Sequence, residues 1–203
     1  ETTAATVEAL ARALELHDYR RGRFGETSAH TARVTQLALQ LAEVVAPELA
    51  DLPTPVLGYF GVVDERLDYE LIARLADAFP TGSVVIVGPL AKVDPRELPQ
   101  RPNIHWLGQR AYGDLPRYVK GFDVCLMPFA LNEATEFINP TKTLEYMAAG
   151  KPIVSTAVPD VVRNFVPIVR VADSIDAFIV EVRSALTPDV ERIEARRRQA
   201  GVV

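Results

Sequence analysis

The chain has 203 residues, of which 48% are hydrophobic and 24% charged, and its formal net charge is −5. That balance suits a globular protein with a core of useful size: one large domain, or one domain and an appendage. The acidic pI of about 5.3 argues against a nucleic-acid partner, and no apolar run approaches the roughly 20 residues that span a bilayer.

The first fifty residues read as helical. Val7, Leu10 and Leu14 recur at helical spacing, two glycines between 19 and 26 interrupt the pattern, and Val34, Leu37, Leu41 and Val45 resume it. Thr27 or Ser28 suits the N-cap of this second helix. Residues 1–15 lack the basic start and apolar centre of a signal peptide. The chain opens on Glu1 rather than Met, which reads as a partial or processed chain. Two such helices expose leucine and valine stripes. They are expected to cover the domain that follows, to pair with a second copy as a homodimer, or to stay mobile.

From Pro53 the pattern changes to short apolar strands alternating with helices. Strands are expected at 55–63, 83–88, 103–108, 123–129, 152–156 and 167–172, and helices at 69–79, 112–122, 140–150 and 174–186. Such alternation specifies a parallel sheet covered on both faces. The fold class is therefore α/β: a Rossmann-like doubly wound sheet of about six strands over roughly 54–187, with an N-terminal helical hairpin. The domains divide as 1–52 and 53–203. Cys125 stands alone in the apolar strand 123–129 and reads as packing. A lone cysteine points to no oxidising compartment, so a cytoplasmic chain is expected. The basic run at 192–200 reads as the solvated face of a last helix.

In an open α/β sheet, ligands sit beyond the carboxyl ends of the strands. Four loops follow strands there. The first holds Gly58, Gly61 and Arg66, whose glycines either ease a turn or admit close backbone approach; Gly-x-x-Gly falls short of the dinucleotide fingerprint. The second holds Gly88 and Lys92, and the third Gly108 and Arg110. The fourth, 128–142, is long and polar, as functional loops often are. It runs into a helix for which Asn139 suits the N-cap and Pro140 the first turn. The amides of Thr141, Lys142 and Thr143 would then form an anion site, with the Lys142 charge added. Glu145, one turn on, either accepts hydrogen bonds from paired sugar hydroxyls or lies exposed, paired with Lys142 at i,i+3.

The stretch "NPTKTLEYMAAGKPIVST" (139–156) resembles the nucleotide-sugar site of group 1 glycosyltransferases, the retaining GT-B enzymes. "PVLGYFGVVDERLDYELI" and "RPNIHWLGQRAYGDLPRYVKGFDVCLMPF" extend the likeness over about 54–190. The resemblance implies the C-terminal, donor-binding domain of such an enzyme. It places Glu145 on the ribose hydroxyls, Thr141 and Lys142 by the diphosphate, Gly61 and Arg66 toward the phosphates, and Gly108 near the base. The implied partner is a nucleotide-diphosphate sugar, with no further cofactor and no metal. Two departures from the family pattern bear on donor binding. Phe137 stands eight positions before Glu145, where many members carry a second glutamate, with Glu136 and Glu133 as neighbours. A basic pair in the first loop is reduced to Arg66. The acceptor domain of a GT-B enzyme has no counterpart in the first fifty residues. Those resemble instead the opening helices of HD-type phosphohydrolases near the HD-GYP group, with His30 at the first ligand position. His17 and His105 are the other histidines, too few for that metal set, so His30 reads as a capping or surface residue. The expected function is the nucleotide-sugar-binding half of a glycosyltransferase, not competent for transfer alone; the alternative is a chimeric, folded chain without enzymatic activity.

Overall fold

A computed structural model describes residues 45–136 and 142–187. The N-terminal hairpin before residue 45, His30, and the basic run at 192–200 lie outside the described residues. So does any homodimer contact made through the hairpin.

Six strands form one sheet: β1 (Val56–Phe60), β2 (Ser83–Val87), β3 (Ile104–Gly108), β4 (Val124–Met127), β5 (Ile153–Thr156) and β6 (Arg170–Ala172). The order is β3-β2-β1-β4-β5-β6, and every pairing is parallel. β1 and β2 are buried at all five positions. This is why their sequences, VLGYF and SVVIV, run apolar without alternation. The sheet is the Rossmann-like α/β architecture expected above.

Helices fill the connections. α1 (Pro47–Ala50) precedes the sheet, α2 (Tyr69–Ala78) follows β1, and α3 (Leu115–Gly121) follows β3. α4 (Glu133–Glu136) and α5 (Lys142–Ala148) follow β4, α6 (Pro159–Phe165) follows β5, and α7 (Ile175–Leu186) closes the described chain. α2 starts where the Asp68 carboxylate accepts from the Leu71 amide at 2.8 Å. It buries Leu71, Ile72, Leu75 and Ala76, the inward stripe of an amphipathic helix. α7 starts on Ser174 in the same manner and lies beside α2. There Arg183 stacks 4.6 Å from the Phe79 ring centre and donates to the Ala78 carbonyl at 2.7 Å.

Four expectations need correction. The helical reading of the first fifty residues does not hold at residue 46. Ala46 is extended (ψ 133°) and α1 begins at Pro47, because a residue before proline is pushed out of the helical region. The single helix expected at 112–122 is a 3₁₀ turn, Tyr112–Asp114, followed by α3, whose first turn carries Pro116. The fourth loop contains α4, and α6 fills a stretch read as a connection. Finally, Gly58 is not part of the first loop. It lies inside β1, and a Cβ there would fall 2.2 Å from the ring of the buried Phe122.

The stretch before the sheet is docked. The Ala46 amide donates to the Arg117 carbonyl at 3.1 Å, and Val45 and Leu49 press on Gly121 of α3, where a Cβ would meet them at under 3 Å.

Gly58→Ala is expected to destabilise the fold by about 3 kcal/mol, the upper range for overpacking a tight core, as read by urea unfolding. Adding Phe122→Leu should recover part of that loss; strict additivity of the two changes would refute the ring contact as its cause.

Candidate functional site at the strand switch point

β1 lies between β2 and β4. The chain winds outward from β1 to β3, crosses back to β4, and winds the other way. The crevice at the carboxyl ends of β1 and β4 is therefore the switch point, where such sheets take their ligands. The loop after β1 and the helix α5 after β4 meet there.

Their meeting is close. Gly61 ends β1 with φ +145°, a region that disfavours side chains. A Cβ on Gly61 would fall 2.1 Å from Cε and 2.7 Å from Nζ of Lys142. The lysine amine thus rests on bare backbone, 5.6 Å from the Tyr59 ring centre. Gly88, at the end of β2, has φ +154°, and a Cβ there would collide with the Gly61 carbonyl oxygen at 1.8 Å. Two amides bind the strand ends into one rim: Gly61 to the Val87 carbonyl at 2.8 Å and Gly88 to the Gly108 carbonyl at 2.9 Å.

Tyr146 anchors α5 to this rim. Its side chain is fully buried, its ring packs edge-on against Phe60 at 5.0 Å, and its hydroxyl accepts from the Phe60 amide at 3.0 Å. Fixing Tyr146 at the end of β1 fixes Lys142 one turn earlier on the same helix face. Burial pushes the Lys142 amine below the usual lysine range; Arg66 adds to this, while Glu145 and Asp64 oppose it.

Glu145 is 6% exposed. Of its two readings from sequence, the exposed surface residue is excluded. One carboxylate oxygen accepts from the Tyr112 hydroxyl at 2.9 Å, and the Glu145 charge acts on Lys142. Arg66 lies in the first loop as expected, held by Asp64: its backbone amide donates at 3.1 Å and its Nε to both carboxylate oxygens at 2.9 and 3.0 Å. Burial works to raise the Asp64 carboxyl, but the Arg66 hydrogen bonds, with the Arg66 and Lys142 charges, outweigh it and hold it low.

Gly108 ends β3 with φ +71°, and a Cβ there would meet nothing within 4 Å. Its neighbour Arg110 faces the protein instead of the crevice. It donates to the Tyr118 hydroxyl at 2.7 Å and to the Leu107 carbonyl at 2.6 Å, and it pairs with Glu48 of α1 at 3.4 Å. Lys92 sits in the second loop with φ 59°. Thr141 and Phe137 lie outside the described residues, and Glu133 is exposed on α4. The structure thus brings Gly61, Lys142, Glu145 and Arg66 to one crevice, with Gly108 on its rim. Sequence reasoning missed Tyr112 and Asp64. Tyr112 touches Glu145 across 33 positions, a separation at which no periodic pattern pairs residues. Asp64 stood two residues before Arg66 and could have been found as its partner.

Cys125 is fully buried in β4, and burial raises its thiol, the environment of an inert packing residue. No helix among the described residues is long and apolar enough to cross a membrane.

Comparison with known proteins identifies the family and the fold. Residues 54–187 match the family model described as "Glycosyl transferases group 1". Over 107 residues the chain is 34% identical to TuaH of Bacillus subtilis (strain 168), a glycosyltransferase provisionally assigned to teichuronic acid biosynthesis; the match covers 51% of this chain and 27% of TuaH. Among solved structures, WaaG, a glycosyltransferase of lipopolysaccharide biosynthesis, superposes with TM-score 0.55 at 20% identity, over 75% of this chain and 43% of its own. Anabaena Alr3699/HepE, in complex with UDP and glucose, gives 0.54 at 16% identity, over 83% and 46%. An E. coli trehalose-6-phosphate structure bound with UDP-2-fluoro glucose gives 0.57 at 14%, over 82% and 45%. The solved likenesses show the GT-B type of fold, and the chain spans less than half the length of each of these proteins. The family match begins at residue 54, so none of these findings supports the HD-type resemblance of the preceding segment.

Two outcomes test the site as built. Tyr146→Phe should lower stability by about 1–3 kcal/mol, because the buried Phe60 amide loses its acceptor; an unchanged urea midpoint would show the tie to be absent. The charged form of Lys142 is disfavoured in the folded chain, so its cost is fully present below the folded pKa. That cost disappears as pH rises toward the unfolded value of about 10.4. Wild type should therefore gain stability relative to Lys142→Met as pH is raised through the alkaline range, and a pH-independent difference would refute the burial of that amine.

Proposed function

The chain belongs to the group 1 glycosyl transferases, and from that premise we propose that it is the nucleotide-diphosphate-sugar-binding half of such an enzyme. One observation carries the reading: a partly desolvated lysine amine lies on bare backbone at the switch point, one turn from a buried carboxylate on the same helix. A diphosphate offers the anion that pairs with the partly desolvated Lys142 amine. Vicinal pentose hydroxyls offer the donors that a buried carboxylate needs. Gly61 leaves room for phosphate oxygens against the strand end, and Arg66, oriented by Asp64, supplies the second cation. Gly108, with open space over its Cα, leaves room for the base. Two of the solved proteins with this fold hold UDP or a UDP sugar, which supports the choice of donor class.

Transfer needs an acceptor and a second wall to the crevice. The chain spans 43% to 46% of these solved proteins, and we assign it donor binding without transfer on its own. A half-open site holds its ligand modestly, since affinity grows with enclosure and preorganisation. The cytoplasmic setting expected from the lone cysteine belongs to the same proposal.

Calorimetric titration of the full chain with UDP, GDP and UDP-glucose tests it. Binding of at least one is expected, with Lys142→Ala and Glu145→Ala each weakening it on the order of 10- to 100-fold, as for loss of a charge-assisted hydrogen bond. In the alkaline range where Lys142 titrates, binding should also take up protons, because a bound anion raises the lowered Lys142 pKa. A cooperative melt with no ligand response at millimolar concentrations would overturn the proposal and favour a folded chain without donor binding.

A further inference from the structure

The third loop is held at two points on either side of Ala111, at Arg110 and at Tyr112. Arg110 ties it back to α1 and α3 through Glu48 and Tyr118. Two residues later the chain turns through the 3₁₀ segment Tyr112–Asp114, and Tyr112 reaches the crevice. Its side chain is a hybrid: the residue is 39% exposed, yet its hydroxyl donates at 2.9 Å to the 6%-exposed Glu145. A solvent-facing phenol therefore occupies a hydrogen-bond position on the carboxylate that the proposed function gives to a pentose.

We propose that Tyr112 is a specificity-determining residue whose hydroxyl competes with the ligand's pentose hydroxyls for the carboxylate of Glu145. The proposal rests on the reading of Glu145 as the pentose-binding acid. The chemistry is an exchange of like for like. A phenol O–H and a ribose O–H are both neutral donors to a carboxylate, and both reach it at the same distance. In the empty site the phenol keeps a buried charge hydrogen-bonded, which is otherwise unfavourable. A ribonucleotide displaces it by offering two hydroxyls. A nucleotide without those hydroxyls leaves Tyr112 in place and binds through its phosphates alone. Tyr112 thus subtracts from the affinity for a ribonucleotide and leaves that for a dideoxynucleotide untouched. It narrows the gap between the two, because the phenol stands in for the missing hydroxyls in the dideoxy complex. The tether at Arg110 makes the exchange local: the loop stays anchored to α1 and α3 while the exposed ring swings aside.

The experiment compares UDP with 2′,3′-dideoxy-UDP, titrated calorimetrically into the full wild-type chain, Tyr112→Phe and Glu145→Ala, with thermal melts to confirm folding. Tyr112→Phe is expected to tighten UDP by about tenfold, the size of one hydrogen bond to a charged group, and to leave 2′,3′-dideoxy-UDP little changed, so that discrimination between the two widens. Tyr112→Leu, which also lacks the hydroxyl, should behave alike and serves if the first variant folds poorly. A loop that merely supports the crevice would give the opposite sign, both ligands weakening together. Weaker or unchanged UDP binding in both variants overturns the proposal, and so does equal tightening of both ligands, which would make the ring a steric plug. These outcomes leave the donor site standing as long as wild type binds UDP and Glu145→Ala weakens it. If the wild type answers GDP rather than UDP, GDP and its 2′,3′-dideoxy form are compared in the same way, and silence toward both bases overturns the site and the competition together.

Discussion

A lysine side chain and the end of a central strand occupy adjoining space at Gly61 because that residue carries no Cβ. Much follows from this one contact. With any side chain at 61, the Lys142 amine would be driven out of the crevice, since a Cβ would lie 2.1 Å from its Cε. With any side chain at 88, the Gly61 carbonyl would move, and with it the turn that shapes the crevice floor. Strand order makes the contact functional. β1 and β4 are neighbours that open in opposite winding directions, so the loop after one and the helix after the other converge without intervening chain. The glycines decide how closely they converge.

Such closeness carries an electrostatic consequence. An amine pressed against backbone and an aromatic ring has lost much of its water, and its charged form is penalised. The carboxylate of Glu145 and the Asp64–Arg66 pair are arranged so that the penalty is only partly relieved. A site left in that state favours an incoming anion more than a hydrated lysine would, because little solvent remains to be removed. The same logic holds for Glu145. Tyr112 donates to its buried carboxylate at 2.9 Å, and under the proposed function a pentose that displaces the phenol must offer at least as good a donor. Both groups are held by a packing anchor, Tyr146, whose hydroxyl ties α5 to Phe60. Stability and binding therefore draw on one helix, and a change that loosens Tyr146 would be felt at Lys142.

Most of the sheet was legible in the chain because a parallel strand buried on both faces must be apolar at every position. β1 and β2 satisfy that rule fully, and all six strands lie inside the stretches expected for them. Boundaries were less legible where proline intervenes. Ala46, before Pro47, is extended where periodicity reads helix, and a 3₁₀ turn precedes α3, whose first turn carries Pro116. Short helices such as α4 and α6 carry too few turns to show a period. In the candidate site, Gly61, Lys142 and Glu145 were legible because topology names the loops that matter, and a glycine, a lysine and an acid are conspicuous there. Arg66 was legible as a cation but not as one already engaged by Asp64. Arg110 had looked like a ligand contact and proves to be a staple, because its partners Glu48 and Tyr118 come from elements that no local pattern connects to it.

That staple bears on how the crevice relates to the chain before it. Glu48 belongs to the turn of helix that precedes the matched domain, and it accepts from both Arg110 and Tyr118. The Tyr118 hydrogen bond above all holds its carboxyl below the usual carboxylate range. At 41% side-chain exposure its link to Arg110 contributes little stability by itself. Its value is positional. It sets where the third loop leaves the protein surface, two residues before Tyr112. Because Glu48 reaches both Arg110 and Tyr118, a shift of α1 would act on the third loop at Arg110, two residues before Tyr112, while the strand ends at Gly61 and Gly88 and the anchor Tyr146 are held by contacts of their own.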